Sequence, residues 1–207
     1  MDYLPIARAH PESMEITFAA SAFPPLALGF FGLGTGYLIW GPQELTGRPP
    51  RDERVDRSLG AWGIWMPGFA QFLTGVILFI GLTWLQVFKD PVLYMAALAF
   101  SLFGIHWFAI GWNRYRGNDP RPNAGMSVAF AVLSALGITV FFVAGDWAVG
   151  IVFIGLAGVY VSEFFDSIGV EVAVRALGLF RILTGVWLMY LTFAVTVDFA
   201  LGYHWTT

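Results

Sequence analysis

The sequence predicts an all-α integral membrane protein whose protomer has six transmembrane helices. Of its 207 residues, 57% are hydrophobic and only 12% are charged, and the mean hydropathy is +0.69. Soluble domains do not show such an excess of apolar over charged residues. The apolar residues fall into six runs of about the length that a helix needs to cross the hydrocarbon layer. Since unpaired backbone groups are costly in lipid and alternating strands are not visible, helices are expected.

The chain divides into a polar N-terminal tail, residues 1–23, and a six-helix transmembrane channel domain, residues 24–207. The tail lacks a basic segment followed by an apolar one, so we interpret it as a retained tail and not as a signal peptide. The six helices are predicted at about Pro24–Trp40, Gly60–Val87, Pro91–Asn113, Ala124–Ala144, Trp147–Phe165 and Ala176–Phe199.

Proline marks the first two helices in different ways. Pro24 and Pro25 open the first helix, where a missing backbone N–H costs nothing. Pro67 and Gly68 interrupt the second helix near its middle, which predicts a kink whose freed carbonyl groups are satisfied inside the protein.

The basic residues predict the orientation. Most arginines follow the first, third or fifth helix, whereas the opposite side carries only Arg8 and Lys89. By the positive-inside rule both termini face outward, in a multi-pass protein of the inner or plasma membrane. Arg181 and Glu163 lie at similar depths on helices six and five, so we expect them to pair or to reach the cytoplasmic surface. The arginines of the basic side are Arg48, Arg51, Arg54, Arg57, Arg114, Arg116, Arg121 and Arg175.

Composition and spacing argue against several function classes. No catalytic motif is present, and the three histidines are widely separated, so an enzyme is not expected. The absence of cysteine and of clustered histidines argues against a metal site, and no cofactor is expected. The net charge of -3 is too small to indicate nucleic acid as a partner. The expected partners are membrane lipid, further copies of the chain and a small solute.

The remaining polar groups within the helices predict a pore for a small neutral solute. His106 is the one ionisable residue near the centre of a predicted helix, which favours a solute that needs no buried counter-charge. A narrow pore of aromatic rings with a few amide or hydroxyl groups suits such a solute. The candidate lining residues are Phe31, Tyr37, Gln71, Thr74, Phe103, His106, Trp107 and Tyr160.

Each candidate also has a structural interpretation. Any one aromatic can serve packing alone. Gln71 is either the partner of an interhelical hydrogen bond or a pore-lining amide. His106 either bridges helices by hydrogen bonds or donates into the pore. A non-transporting structural subunit of a membrane complex therefore remains an alternative.

Several stretches resemble the urea and amide channel family, the AmiS/UreI group. Its LFG, then N, then GxDxRP pattern is similar to Leu102-Phe103-Gly104, Asn113, Gly117, Asp119 and Arg121-Pro122. Gly145-Asp146-Trp147 and the ILTGVW run at 182–187 are also similar. The resemblance implies a homohexamer of six-helix protomers, each with its own pore for urea or a short amide. It also implies that Phe103 and Trp107 form an aromatic constriction, with Tyr160 as a third member.

A second stretch resembles the acetate uptake family, the succinate-acetate permeases, whose six-helix protomers also form hexamers. The run FPPLALGFFG at 23–32 is similar to that family's NPAPLGL start, although Ala22 and Phe23 replace its asparagine and first proline. The segments 68–71 and 99–101 are also similar. Because that family's basic loops follow the even-numbered helices, the orientation favours a urea or amide channel here. Acetate or monocarboxylate uptake is the alternative.

Overall fold

The computed structural model describes residues 21–202, and it contains six long helices and no strand within that range. Each helix is long and apolar enough to cross a membrane, which confirms the predicted six-helix membrane protomer. Most of the predicted polar tail, including Arg8, lies outside the described residues. The helices are α1 (Phe23–Thr46), α2 (Glu53–Trp84), α3 (Leu93–Arg116), α4 (Asn123–Val143), α5 (Trp147–Ser167) and α6 (Ala173–Leu201).

Helix α1 continues six residues beyond its predicted end at Trp40. Pro42 lies inside the extension, where it only removes one backbone hydrogen bond, and the helix passes through it. The Thr46 hydroxyl donates to the Pro42 carbonyl at 2.7 Å. The extension brings Glu44 into the last turn of α1, inside the bundle.

Helix α2 begins seven residues before its predicted start. Asp52 caps it, because its Oδ1 accepts from the backbone N–H groups of Arg54 at 2.8 Å and Val55 at 2.9 Å. At Pro67 and Gly68, where the sequence predicted a kink, the structure has a π-helical turn over Ile64–Phe69, and a second π turn covers Ile80–Trp84. A π turn accommodates one extra residue without breaking the helix.

The six helices form a closed ring in sequence order. Each helix packs against the next along the chain, and α6 returns to pack along α1. The contact between α3 and α4 is the least extensive of the ring. Helices α2 and α3 approach closely at Gly104 because this residue has no side chain. A Cβ at that position would lie only 2.5 Å from the backbone nitrogen of Phe72.

The two ends of the ring carry different connections. We call the end with the α2–α3 and α4–α5 connections the aspartate end, after Asp90 and Asp146. There Gly145 turns the chain with a φ of +82°, and Asp146 caps α5 by accepting from the Val149 N–H at 3.1 Å. We call the opposite end, with the connections at 47–52, 117–122 and 168–172, the arginine end.

The GxDxRP pattern of the α3–α4 connection has a local structural explanation. Gly117 ends α3 with a φ of +69°. Arg121 then donates to the Asp119 carboxylate through Nε at 2.8 Å and Nη2 at 2.5 Å. These hydrogen bonds lower the pKa of the Asp119 carboxyl to about 2. The pattern therefore has a local role in the shape of a loop and does not by itself indicate a solute site.

Candidate functional site

Four aromatic rings close the axis of the bundle near its middle. We call this set, Tyr37, Phe103, Trp107 and Tyr160, the aromatic divider. All four side chains are almost completely buried. The rings of Phe103 and Tyr160 are stacked with centroids 5.7 Å apart, and those of Tyr37 and Trp107 lie 5.8 Å apart. Since the rings come from α1, α3 and α5, they join opposite sides of the ring of helices.

His106 bridges α3 and α5 beside the divider. Its Nδ1 lies 3.2 Å from the Tyr160 hydroxyl, within hydrogen-bonding distance. Its Nε2 is 4.0 Å from Oε2 of Glu163, and neither of these atoms has a hydrogen-bond partner within residues 21–202. The interhelical interpretation of His106 thus accounts for one ring nitrogen, while the other faces a carboxylate across a gap wider than a hydrogen bond.

On the aspartate side of the divider, the helices enclose a cavity of about 80 Å³. Gln71 is its polar side chain at membrane depth, and Asp90 and Asp146 lie at its loop end. Burial raises the pKa of the Asp146 carboxyl more than the hydrogen bond from Val149 lowers it, and the charge of Asp90 adds to the rise. The apolar wall includes Leu26, Phe30, Leu33, Phe100, Phe103, Phe141, Phe153, Leu156 and Leu188.

Gln71 and Thr74 on α2 differ in how their polar atoms are satisfied. The Gln71 side chain is 0% exposed, and neither its Oε1 nor its Nε2 has a hydrogen-bond partner in the described part of the chain. The Thr74 hydroxyl donates to the Pro25 carbonyl at 2.9 Å and so joins α2 to α1. Gln71 therefore fits the pore-lining interpretation, whereas Thr74 has a packing role.

On the arginine side of the divider lies a larger cavity of about 370 Å³. Arg181 on α6 is 1% exposed there and pairs with Glu44 on α1. Its Nη2 also lies 3.8 Å from Oε1 of Glu163 on α5. The guanidinium stands over the rings of Trp40 and Trp107, with centroid distances of 5.2 and 5.7 Å. One cation thus connects three helices directly beneath the divider.

A second arginine at this end makes a similar set of contacts. Arg114 on α3 donates through Nε to Asp56 of α2 at 2.9 Å and through Nη2 to Gln43 of α1. Its guanidinium lies 4.5 Å from the centroid of the Trp40 ring. Charged groups therefore fasten α1, α2 and α3 at the arginine end.

The structure gathers most of the predicted lining residues but not all of them. Tyr37, Phe103, His106, Trp107 and Tyr160 meet on the axis, and Gln71 faces the aspartate-end cavity. Phe31 is instead 44% exposed on the outer face of α1, because one residue of helix rotates it about 100° away from the buried Phe30. Its assignment as a lining residue is therefore corrected.

Sequence reasoning missed the centre of the charged site. The predicted pairing of Arg181 with Glu163 is confirmed, but both side chains are buried and do not reach the surface. Their third partner, Glu44, lay beyond the predicted end of the first helix. An apolar run that carries a single arginine was the signal that could have indicated a buried partner. Within residues 21–202, no group of three or more His, Cys, Asp or Glu side chains is placed to hold a metal ion.

The comparisons with known proteins concern the fold. No protein-family profile matches the chain, and no curated protein sequence matches it significantly. A solved structure, described as that of the bacterial acetate channel SatP, superposes with a TM-score of 0.70 at 14% identity. The match covers 86% of this chain and 94% of that one. The likeness supports the resemblance to the acetate uptake family at the level of the fold and gives no support to the urea and amide channel family. The arginine bias that favoured the latter reports orientation and not fold.

Proposed function

We propose that the protein is a membrane channel through which a short monocarboxylic acid of the acetate class crosses passively. One observation carries the proposal: two cavities approach each other from opposite ends of one helical ring, and four aromatic rings separate them. Such a constriction excludes hydrated ions, while the polar groups on each side replace part of the water of a small solute.

The aspartate-end cavity supports a solute of this size and polarity. A single water molecule needs roughly 10–15 Å³ of cavity volume. The cavity of about 80 Å³ therefore holds a molecule of a few non-hydrogen atoms. Its wall is apolar except for one buried amide and two carboxyl groups near the loops. A methyl group with one polar head matches that surface, and the structural neighbour is described as an acetate channel.

A short primary amide, or urea, is the second candidate solute. The observation that favours it is the unpaired amide of Gln71, which complements another amide group. We further propose a homohexamer in the inner or plasma membrane, with both termini and the aspartate end outward. The outer face of α2 supports assembly, because Trp62, Trp65 and Phe69 are exposed there and need copies of the chain or lipid to cover them.

Stopped-flow light scattering of proteoliposomes tests this proposal. Vesicles that contain the protein should swell faster than empty vesicles in acetic acid, acetamide and urea, with acetic acid or acetamide the fastest. Empty vesicles made from the same lipid correct for the leak of each solute through the bilayer. Equal rates in empty and loaded vesicles for all three solutes would rule out the channel.

A further inference from the structure

Among the described residues, the polar side chains of the aspartate-end cavity are few, and none of them is basic. Gln71 lies on α2 among apolar side chains, and Asp90 and Asp146 lie where the cavity meets the loops. In the part of the chain that the structure describes, no lysine, arginine or histidine lines this cavity. A negatively charged solute would thus find two like charges at the loop end and no positive charge inside.

Gln71 is an unusual buried residue because both ends of its amide are unsatisfied. Its side chain is 0% exposed, and Oε1 and Nε2 lack partners within residues 21–202. A buried donor or acceptor left without a partner costs about 1–3 kcal/mol, so native proteins seldom leave two on one side chain. The side chain is part of the cavity wall, so a molecule in that cavity can supply both partners when the amide turns toward it.

The chemistry of a primary amide defines that molecule. The amide offers an N–H donor and a carbonyl acceptor side by side. A protonated carboxylic acid and a primary amide each carry an acceptor and a donor on one carbon, so either can form two hydrogen bonds with Gln71 at once. A carboxylate anion can only accept, and its second oxygen would face the Gln71 Oε1 with no proton between them.

The apolar wall of the cavity also favours a neutral solute over a carboxylate anion. An unpaired charge is far more costly to bury than a hydrogen-bonded neutral group. Phe30, Leu33 and Leu188 provide no compensation for a carboxylate. The buried cation Arg181 lines the cavity on the other side of the divider and is already paired with Glu44 and Glu163.

We propose that Gln71 is the solute-binding residue of the aspartate-end cavity and that it binds the neutral form of a short carboxylic acid, or a primary amide, through two simultaneous hydrogen bonds. The inference deepens the proposed function and rests on it for the route of transport. The binding itself stands on the cavity and the unpaired amide.

The first test compares two solutes that differ in donor capacity. Acetamide can donate and accept, whereas N,N-dimethylacetamide can only accept. Stopped-flow swelling should show that Gln71→Leu lowers acetamide permeability by roughly tenfold and leaves that of N,N-dimethylacetamide nearly unchanged. Thr139→Val is the matched control, because it removes a hydroxyl on an exposed face of α4 that bonds only its own helix, at the Ala135 carbonyl. It should leave both permeabilities as in the unchanged protein.

The second test measures binding without transport. Acetamide should raise the thermal unfolding temperature of the detergent-solubilised protein at both acidic and neutral pH, and acetic acid only where it is protonated. N,N-dimethylacetamide should give no rise. Gln71→Leu should abolish the rise. Gln71→Glu should restore binding of acetamide only at acidic pH, where its own carboxyl is protonated and again offers a donor beside an acceptor.

The two tests separate the inference from the proposed function. If vesicles with Gln71→Leu still show flux with a preference for acetamide, and the thermal shift persists in this variant, the role of Gln71 is overturned. The channel then remains intact. A thermal shift that depends on Gln71, without flux above that of empty vesicles, would overturn the channel and support the site. A thermal shift that sodium acetate produces at neutral pH as strongly as acetamide would show that the site binds the anion, contrary to the inference.

Discussion

The two cavities satisfy their buried polar groups in opposite ways. At the arginine end, Arg181 pairs with Glu44 and Glu163, and charges of both signs hold three helices together. At the aspartate end, the wall is apolar, and the amide of Gln71 has no partner among the described residues. The difference indicates that buried polarity serves structure on one side of the divider and leaves hydrogen-bonding capacity for a solute on the other.

The largest effect on stability is expected from removing the buried positive charge at the arginine end. Arg181→Met leaves Glu44 and Glu163 buried without their cation, so it should lower the free energy of unfolding by about 3–5 kcal/mol. Thermal unfolding in detergent measures the loss. Adding Glu44→Gln and Glu163→Gln to the same chain should recover most of it.

The exposed pair of Arg121 and Asp119 supplies the control for this experiment. Arg121→Met should leave the unfolding temperature unchanged, because water screens that pair. If Arg181→Met is as stable as the unchanged protein, the charged cluster does not hold the helices together.

The next effect concerns the boundary between the two sides. Phe103→Ala removes a buried ring from the divider and should cost about 3 kcal/mol of stability. It should also raise the permeability of longer amides relative to that of acetamide, which swelling assays with a series of such amides can measure. Phe31→Ala is the matched control because that ring lies on the outer face. An unchanged size limit in Phe103→Ala would return Phe103 to a packing role.

A smaller effect is expected from Thr74 at the aspartate side. Thr74→Val removes the hydrogen bond to the Pro25 carbonyl and should destabilise the protein by about 1 kcal/mol. The ratio of acetamide to N,N-dimethylacetamide permeability should stay constant, in contrast to Gln71→Leu one turn away. A changed ratio would mean that Thr74 also contacts the solute.

The smallest effect is a pH dependence at Asp146. Burial raises the pKa of its carboxyl in the folded protein, so ionisation as the pH rises through that pKa removes stability. Asp146→Asn keeps a capping side chain and should be slightly more stable than the unchanged protein at neutral pH. The difference should vanish below about pH 4, near the ordinary carboxyl pKa. Unfolding temperatures measured across this range test the trend, and a difference that grows on acidification would contradict it.

The parts of the fold that depend on apolar run length were predictable from the sequence. The six spans are where hydropathy indicated, and the second helix departs from regular α-helical geometry at Pro67, where the sequence predicted a kink. Helix ends were less predictable, because the first helix continues beyond Trp40 through Pro42, and a helix can tolerate the loss of one hydrogen bond.

The candidate site was predictable only in part, since it depends on which face of each helix points inward. The divider rings lie on spans that are apolar on every side, where sequence periodicity hardly separates Phe30 from Phe31. Nor does one sequence show whether a polar group has a partner across the bundle. Thr74 has such a partner in Pro25, and Gln71 has none among the described residues.

The π turn at Ile64–Phe69 has a consequence for the phase of α2. Because the turn takes up one extra residue, the side chains that follow lie about 100° from the positions they would have in a regular α-helix of the same length. Deleting one residue within that turn should therefore give a regular α-helix that leaves Gln71 on the cavity side of α2. Converting the turn to a regular α-helix at full length should instead swing Gln71 away from the cavity, although its depth in the membrane would change by only about 1.5 Å. The direction in which the Gln71 side chain leaves the helix therefore depends on the one extra residue that the π turn holds.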